Sequence, residues 1–114
     1  MLPRLETLLQ ASLKIASFQV IDNDPIDEEN FLLKIRCELI SERTFQIRLR
    51  AVAGHIHYSY QEFTHKPLRR WDNDPHYPHL PNFPHHYHDP QGNATESLLT
   101  GNPTNDLQQV LHAL

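Results

Sequence analysis

The segment of residues 69–88, RRWDNDPHYPHLPNFPHHYH, carries five of the nine histidines of this 114-residue chain. An imidazole changes protonation near neutral pH, so two of them can act together as general base and general acid. In metal-free RNA cleavage one group takes the proton of the 2′-hydroxyl and another protonates the leaving oxygen. An arginine stabilises the charge that develops on the phosphate. The residue types in and beside this segment suit that chemistry. The candidate catalytic residues are His76, His85, His86, His88, Arg70 and Tyr58.

Metal binding is a second interpretation of the same histidines. Imidazole is a common ligand of zinc and its neighbours, and Asp72, Asp74 and Asp89 could complete a ligand shell. However, the spacing matches no helix-borne H-E-x-x-H pattern, no cysteine lies nearby, and HHYH at 85–88 is a weak signal. The pattern therefore predicts no cofactor and no resident metal. A third interpretation is structural, with histidines that only cap carbonyls or stack on Trp71 and Tyr77.

The elements that must position these residues follow from hydrophobic periodicity. Leu5, Leu8 and Leu9 lie at helical spacing behind Pro3, which predicts a helix over about 3–11. A strand is predicted over about 14–21. The acidic NDPIDEEN after it is predicted to be a turn, because Pro25 should block regular pairing. The C-terminal TNDLQQVLHAL has a Thr/Asn cap signal and helical spacing, which predicts a second helix.

Three runs between the helices alternate apolar and polar residues, as antiparallel strands with one buried and one wet face do. They are NFLLKIRCELI, TFQIRLRAV and GHIHYSYQEF, joined by short connections at 41–43 and 53–54. PLRRWD at 67–72 can add an edge strand. The predicted fold class is α+β: a four- to five-stranded antiparallel β-meander with an N-terminal and a C-terminal helix and a long Pro/His-rich loop. We expect one domain, residues 1–114.

The wet face of the predicted sheet is rich in basic residues. The chain has a formal net charge of −4, yet residues 34–70 hold eight Lys/Arg against three Glu, a local +5. Three neighbouring strands that present bases form a surface suited to RNA phosphates. The plain alternative is a solvated face, which needs only to be polar. The RNA-binding candidates are Lys34, Arg36, Arg48, Arg50 and Arg69.

The proline spacing of the loop favours an ordered path. Prolines recur at every third position from 75 to 84, as suits a polyproline helix with about three residues per turn. Such a path would align His76, His79, Asn82 and His85 on one edge. Aromatic rings would hold the loop against the sheet, so we expect Trp71 and Phe83 to be at least partly buried. The predicted supporting residues are Trp71, Asp72, Asn73 and Phe83.

Other classes of site have little support. Cys37, the single cysteine, falls on the apolar side of its strand, which predicts a buried structural thiol. The sequence has no P-loop, no G-x-S-x-G and no G-x-G-x-x-G. No apolar run approaches a membrane span, and the first residues lack a cleavage signal. We therefore expect a cytoplasmic protein without membrane contact.

The YSY at 58–60 and the run RRWDNDPHYPHLPNFPHHYH resemble the TumE-type toxins of two-gene bacterial toxin–antitoxin modules. In that family a similar tyrosine-rich strand and a similar arginine–aromatic–Asp–Asn run lead into P-H-x-x-x-L-P-x-F-P-H-H-x-H. The order of helix, meander, loop and helix is similar as well. The resemblance implies a toxin that restrains growth at RNA or translation and is neutralised by a helix-turn-helix antitoxin. One departure is Asp74, which replaces a small residue and adds a negative charge that is unfavourable for RNA.

The leading hypothesis is therefore a toxin acting on RNA or the translation apparatus, in its most specific form a metal-independent ribonuclease. Two alternatives stay open. One is a non-catalytic protein-interaction or regulatory module whose loop binds a partner. The other is a protein that binds metal through its histidine loop.

Overall fold

The computed structural model describes all 114 residues and contains two helices and seven strands. In chain order these are α1 (Leu2–Ala11), β1 (Ile15–Pro25), β2 (Phe31–Leu39), β3 (Thr44–Val52), β4 (His55–Phe63), β5 (Pro67–Asp72), β6 (His86–His88), β7 (Ala94–Glu96) and α2 (Pro103–Ala113). The strands form one antiparallel sheet in which each pairs with its neighbours in sequence. The α+β class and the meander with a helix at each end are confirmed.

The number of strands is larger than predicted, seven rather than four or five. The additional strands are β6 and β7, which have three residues each and lie where the sequence predicted loop. An alternation this short cannot be distinguished from irregular sequence. Because β6 pairs with β5, the PLRRWD strand is internal and not the predicted edge strand.

β1 also extends further than predicted, through Asp22, Asn23 and Asp24 to Pro25. Pro25 lies opposite Phe31 in the pairing with β2. Since β1 is an edge strand, a proline can sit there without removing a ladder hydrogen bond. The turn is confined to residues 26–30, where the carboxylate of Asp27 accepts from the N–H of Glu29.

One face of the sheet is covered by both helices and forms the core. The alternation predicted for β2, β3 and β4 is confirmed, and the buried apolar residues of these strands are Leu33, Ile35, Cys37, Leu39, Phe45, Ile47, Leu49, Ala51, Tyr58 and Tyr60. α1 buries Leu5 and Leu9 against them, and α2 buries Leu107 and Val110. We call this the covered face and the opposite one the open face.

Neither helix has the length and apolar character needed to cross a membrane.

A buried carboxylate ties α2 to the segment before it. Asp106 is fully buried and accepts hydrogen bonds from the N–H and hydroxyl of Thr100 and from the N–H of Gly101, at 2.8–3.0 Å. A buried carboxylate without such donors would be strongly destabilising, so these contacts fix the turn at 100–101. That turn lies beside His85, whose ring would be 3.5 Å from a Cβ placed on Gly101.

The loop of residues 73–85 is ordered, but it is not a polyproline helix. Its backbone forms successive turns, closed by hydrogen bonds from Leu80 N–H to Tyr77 C=O and from His85 N–H to Asn82 C=O. Asn82 has a φ of 61°, which a polyproline helix excludes. His79 is exposed whereas His85 is half-buried. The predicted common edge of histidines is therefore wrong, because local turns override the proline spacing.

Asn82 fixes the tip of this loop. Its Nδ2 donates to the carbonyl of Ser97 at 2.7 Å and to that of Leu99 at 2.9 Å. Trp71 is buried as expected, but Phe83 is 45% exposed. The expectation that the Phe83 ring anchors the loop is therefore wrong, and the neighbouring amide takes that role.

Substitutions at Asn82 should separate the contribution of its side-chain hydrogen bonds from that of its left-handed backbone conformation. Asn82→Gly keeps the positive φ accessible but removes both hydrogen bonds, at a cost of about 1–2 kcal/mol in the free energy of unfolding. Asn82→Ala should cost about 1 kcal/mol more, because alanine is strained in the left-handed region. Urea unfolding measures both, and proteolysis within 75–85 should accelerate in each. Phe83→Ala is the control and should stay within about 0.5 kcal/mol of the wild type. A larger loss for Phe83→Ala than for Asn82→Ala would contradict this assignment.

Candidate functional site

The four candidate histidines do not form one group. Successive residues of a strand point to opposite faces of the sheet. His86 and His88 lie on the open face, whereas Tyr87 packs against Trp71 on the covered face. His85 precedes β6 and contacts Tyr58 on the covered face. The structure thus brings His86 and His88 together with Arg70, and it separates them from the pair of His85 and Tyr58.

On the open face, Asp72, His86 and His88 form what we call the Asp–His–His cluster. The pairing of β5 with β6 places Asp72 opposite His86 and Arg70 opposite His88. His86 Nε2 lies 2.9 Å from Asp72 Oδ1 and 3.0 Å from His88 Nε2, and His88 Nε2 lies 3.6 Å from Asp72 Oδ2. Asp72 and His86 are 2% and 1% exposed, but the His88 side chain is 28% exposed. His88 is therefore the member of the cluster that faces solvent.

Asp72 has a larger role than the sequence predicted for it. The sequence predicted it as a supporting residue, or as one of three carboxylates of a metal-ligand shell. In the structure its carboxylate also accepts from Arg70 Nε at 2.7 Å and from Asp74 N–H at 3.0 Å. The sequence signal for this arrangement is the HYH triplet opposite RWD, because alternation puts His86 and His88 on the side of Asp72. That signal is readable only once β6 is recognised as a strand.

Burial is the main reason that His88 is neutral. Burial lowers the pKa of His88, and the nearby His86 and Arg70 act in the same direction, while the carboxylates of Asp72 and Asp74 oppose them. Near neutral pH the ring therefore keeps a free lone pair. Arg70 NH2 lies 3.9 Å from Asp74 Oδ2, so Asp74 offsets part of the positive charge of Arg70.

A polar cleft opens beside the Asp–His–His cluster. Its volume of about 490 Å³ falls within the range of about 300–1,000 Å³ typical of ligand pockets. Arg70, Asp74 and His76 line it together with the cluster. The Tyr77 ring closes one side, with its centroid 4.7 Å from that of His86 and 5.8 Å from that of His88. The sequence identified Tyr77 only as a surface on which histidines stack.

Basic residues of β2 and β3 lead across the open face to this cleft. The strand register defines one transverse row of Lys34, Arg48, Ser59, Asp72 and His86, and a second row of Arg36, Gln46, Gln61, Arg70 and His88. Neighbouring strands are about 4.8 Å apart, so the four steps from β2 to β6 span about 19 Å. A shallow depression lined by Arg48, Arg50 and Arg70 joins the basic side chains to the cleft.

The ion pairs of the protein leave most of this basic surface available. They involve Arg43, Arg69 and Arg70 with carboxylates, so Lys34, Arg48 and Arg50 have no acidic partner. Arg36 donates to the amide oxygen of Gln46 at 3.0 Å. Four of the five predicted RNA-binding residues therefore share one face with their charges available for a ligand.

Arg69, the fifth predicted RNA-binding residue, lies apart from the others. Its Nε donates to the buried carboxylate of Glu62 at 2.9 Å, and its NH1 donates to the carbonyl of Ala113 at 2.8 Å. These contacts place its side chain on the covered face beside the end of α2. Arg69 thus joins the sheet to α2, and its predicted place on the RNA-binding surface is not supported.

Tyr58 and His85 form a second polar pair, on the covered face. Tyr58 Oη lies 2.8 Å from His85 Nδ1. Burial raises the pKa of Tyr58 far above its ordinary value, and the carboxylates of Asp106 and Asp72 add to that shift. Burial lowers the pKa of His85. The hydroxyl is therefore the donor and the neutral imidazole the acceptor, and the pair fastens the end of the loop to β4.

The remaining predicted supporting residues hold β5 in position. The Asn73 side chain extends the ladder beyond the strand, because Oδ1 accepts from Tyr58 N–H at 3.0 Å and Nδ2 donates to the carbonyl of Ile56 at 2.8 Å. Trp71 packs on Tyr87 with ring centroids 5.0 Å apart.

Cys37 is fully buried, and burial raises its pKa to about 12, which excludes it as a nucleophile near neutral pH.

The Tyr58–His85 pair predicts different effects for two adjacent tyrosines. Tyr58→Phe should lower the free energy of unfolding by about 1–2 kcal/mol, because His85 Nδ1 loses its donor. Tyr60→Phe is the matched control, since the buried Tyr60 hydroxyl has no hydrogen-bond partner in the protein. Its removal should be neutral or stabilising by up to about 1 kcal/mol. Urea unfolding of both variants measures the difference. An equal or larger loss in Tyr60→Phe would show that the pair contributes no stability.

Comparison with protein-family models gives a match to the model described as Toxin TumE, over residues 5–114. The match covers nearly the whole chain and includes α2, the cluster and the basic strands. Comparison with curated proteins and with solved structures gives no match.

Proposed function

Because the chain belongs to the TumE toxin family, we propose that it is a toxin that acts on RNA. One observation carries this proposal: a row of bases without acidic partners crosses the open face and ends at a polar cleft that contains histidines. Lys and Arg contacts to phosphates position a nucleic acid and supply much of its affinity. Damage to RNA, or blockage of it, would inhibit translation and restrain growth.

The cleft holds groups that suit cleavage of a phosphodiester. His76 is exposed on the loop and lines the cleft, so its imidazole can contact a ligand bound there. Arg70 can stabilise negative charge on the phosphate, although the carboxylates of Asp72 and Asp74 offset part of its charge. In a metal-free reaction His76 and the solvent-facing His88 would share the roles of acid and base.

Membership of a toxin family implies a cognate antitoxin. We propose that this partner is a helix-turn-helix protein encoded beside the toxin, and that both act in the cytoplasm. Co-expression of the neighbouring gene should therefore restore growth. If co-expression leaves growth inhibition unchanged, the product of the neighbouring gene is not the antitoxin.

Charge removal on the open face should weaken RNA binding. Arg48→Ala with Arg50→Ala should reduce the affinity for a single-stranded RNA by more than about 10-fold. The salt slope, log Kd against log salt, should fall by about 1.4, since each phosphate contact on a single strand contributes about 0.7. Fluorescence anisotropy at several KCl concentrations measures both quantities. Arg4→Ala, which removes an exposed charge on α1, should change neither. Equal effects of the two variants would place RNA binding elsewhere.

Two exposed histidines of the same loop provide a matched test of the cleft. His76→Ala should relieve growth inhibition and reduce RNA cleavage, because His76 lines the cleft. His79→Ala should leave both unchanged, since His79 is exposed on the loop but does not line the cleft. Both variants should unfold within about 0.5 kcal/mol of the wild type. Undiminished toxicity of His76→Ala, or equal effects at both positions, would contradict a role for His76.

A further inference from the structure

We propose that Asp72, His86 and His88 form a binding site for one divalent first-row metal ion such as Zn²⁺. The site is a property of the folded chain and does not depend on the proposed action on RNA. Two imidazoles and one carboxylate are a ligand set used by zinc and non-haem iron sites. Their ligand atoms lie within 4.8 Å of one another in this protein.

The distances within the Asp–His–His cluster match those between ligands of one metal ion. Metal–nitrogen bonds of about 2.0–2.1 Å separate neighbouring ligand atoms by about 3.3 Å in a tetrahedral site and about 2.9 Å in an octahedral one. The separations in the cluster are 2.9 Å from His86 Nε2 to Asp72 Oδ1, 3.0 Å between the two Nε2 atoms and 3.6 Å from His88 Nε2 to Asp72 Oδ2. The two imidazoles thus approach different oxygens of one carboxylate, and an ion between the rings can contact both nitrogens and the carboxylate once the side chains adjust.

The hydrogen-bond partners of His86 explain why a cation suits the centre of the Asp–His–His cluster. His86 Nδ1 lies 3.1 Å from the carbonyl oxygen of Pro84, and because a carbonyl only accepts, Nδ1 carries the proton. In the tautomer with its single proton on Nδ1, the ring presents a lone pair at Nε2. That lone pair faces an Asp72 oxygen at 2.9 Å and His88 Nε2 at 3.0 Å. Three electron-rich atoms thus converge in a nearly buried place, and a metal ion would satisfy all of them.

The surroundings of the ligands resemble the outer shell of a metal site. A histidine ligand usually donates its other ring N–H to a carbonyl or carboxylate, which fixes the tautomer; His86 does so with Pro84. Asp72 is oriented by Arg70 Nε at 2.7 Å and by Asp74 N–H at 3.0 Å. The ligands also sit on paired strands rather than on the loop, which holds their geometry.

The cluster supplies three protein ligands and opens to the cleft on the side of His88. Catalytic zinc sites typically have three protein ligands and leave a position for water or substrate, whereas structural sites are closed by four. The open side faces Arg70 and His76. A phosphate oxygen in the cleft could therefore complete the coordination. His88 would then be a ligand rather than an acid or base, and His76 would be the cleft histidine available for proton transfer.

Metal binding can be measured directly on the full-length protein. Protein purified without a histidine tag is stripped with EDTA, dialysed, and titrated with Zn²⁺ by calorimetry and with Co²⁺ by visible absorption. We expect one ion per chain and a rise in Tm with Zn²⁺ concentration, because an ion that binds only the folded state stabilises it. His88→Ala is the main variant, since its side chain is partly exposed and its loss should leave the fold intact. Loss of an outer-shell partner alone weakens binding by about 10–100-fold, so loss of His88 should cost at least about 100-fold.

Two controls address the other histidines of the chain. His55 and His57 form an exposed pair with ring centroids 4.6 Å apart and could bind metal adventitiously. The double change His55→Ala, His57→Ala should leave the tight site intact, as should His79→Ala. Asp72→Asn is a second cluster variant and should also abolish tight binding while circular dichroism reports whether it folds. Less than about 0.1 equivalent of bound metal in the wild type, or equal affinity in His88→Ala, would overturn the proposal and leave a proton as the cation of the cluster.

The same preparations separate this proposal from the proposed action on RNA. Tight, His88-dependent metal binding together with absent RNA binding would support the metal site and remove the RNA proposal. RNA binding by a wild-type protein that binds no metal would support the RNA proposal and overturn the metal site.

Discussion

The hydrogen-bonded pairing of β5 with β6 is the constraint on which the candidate site depends. It places Asp72 opposite His86, Arg70 opposite His88 and Trp71 opposite Tyr87. A shift of one residue would turn every side chain of β6 to the other face. The register is held from both sides, by the Trp71–Tyr87 ring contact on the covered face and by the Asp72–His86 contact on the open face. The aromatic packing and the chemistry of the cluster therefore have the same structural origin.

The distribution of charge sets a direction across the open face. Acidic residues lie in β1 and the following turn, at one edge of the sheet, where Asp22 is the register partner of Lys34 without forming an ion pair with it. Basic residues occupy β2 and β3, and carboxylates return at Asp72 and Asp74 beside the cleft. A polyanion would be repelled at the acidic edge and attracted in the middle, while at the cleft Arg70 lies 2.7 Å from Asp72 and offsets that carboxylate. The net charge of −4 hides this pattern, which confines attraction to a narrow band.

Much of the fold could be predicted from the sequence, because long strands with one buried face alternate apolar and polar residues. β2, β3 and β4 have nine residues each, and their predicted faces are confirmed. β6 and β7 could not be predicted, since three residues carry too little pattern and their pairing is decided by long-range contacts. The division of the histidines between two faces depends on that pairing, so it was missed as well. Burial of Trp71 was expected, but the exposure of Phe83 and the role of Asn82 depend on turn geometry that proline spacing does not encode.

The unequal lengths of the connections between strands have a consequence for how the cleft forms. The connection between β3 and β4 has two residues (53–54), whereas that between β5 and β6 has thirteen (73–85). Closing the longer one costs about 1.7 kcal/mol more in chain entropy if the cost scales as 1.5RT ln n. The contacts that repay this cost are two three-residue strands and a few polar side chains. We therefore expect β6, β7 and the loop to open as a cooperative unit while β1–β4 stay folded, with faster amide hydrogen exchange in that unit. The cleft would then be lost reversibly, well before the molecule as a whole unfolds.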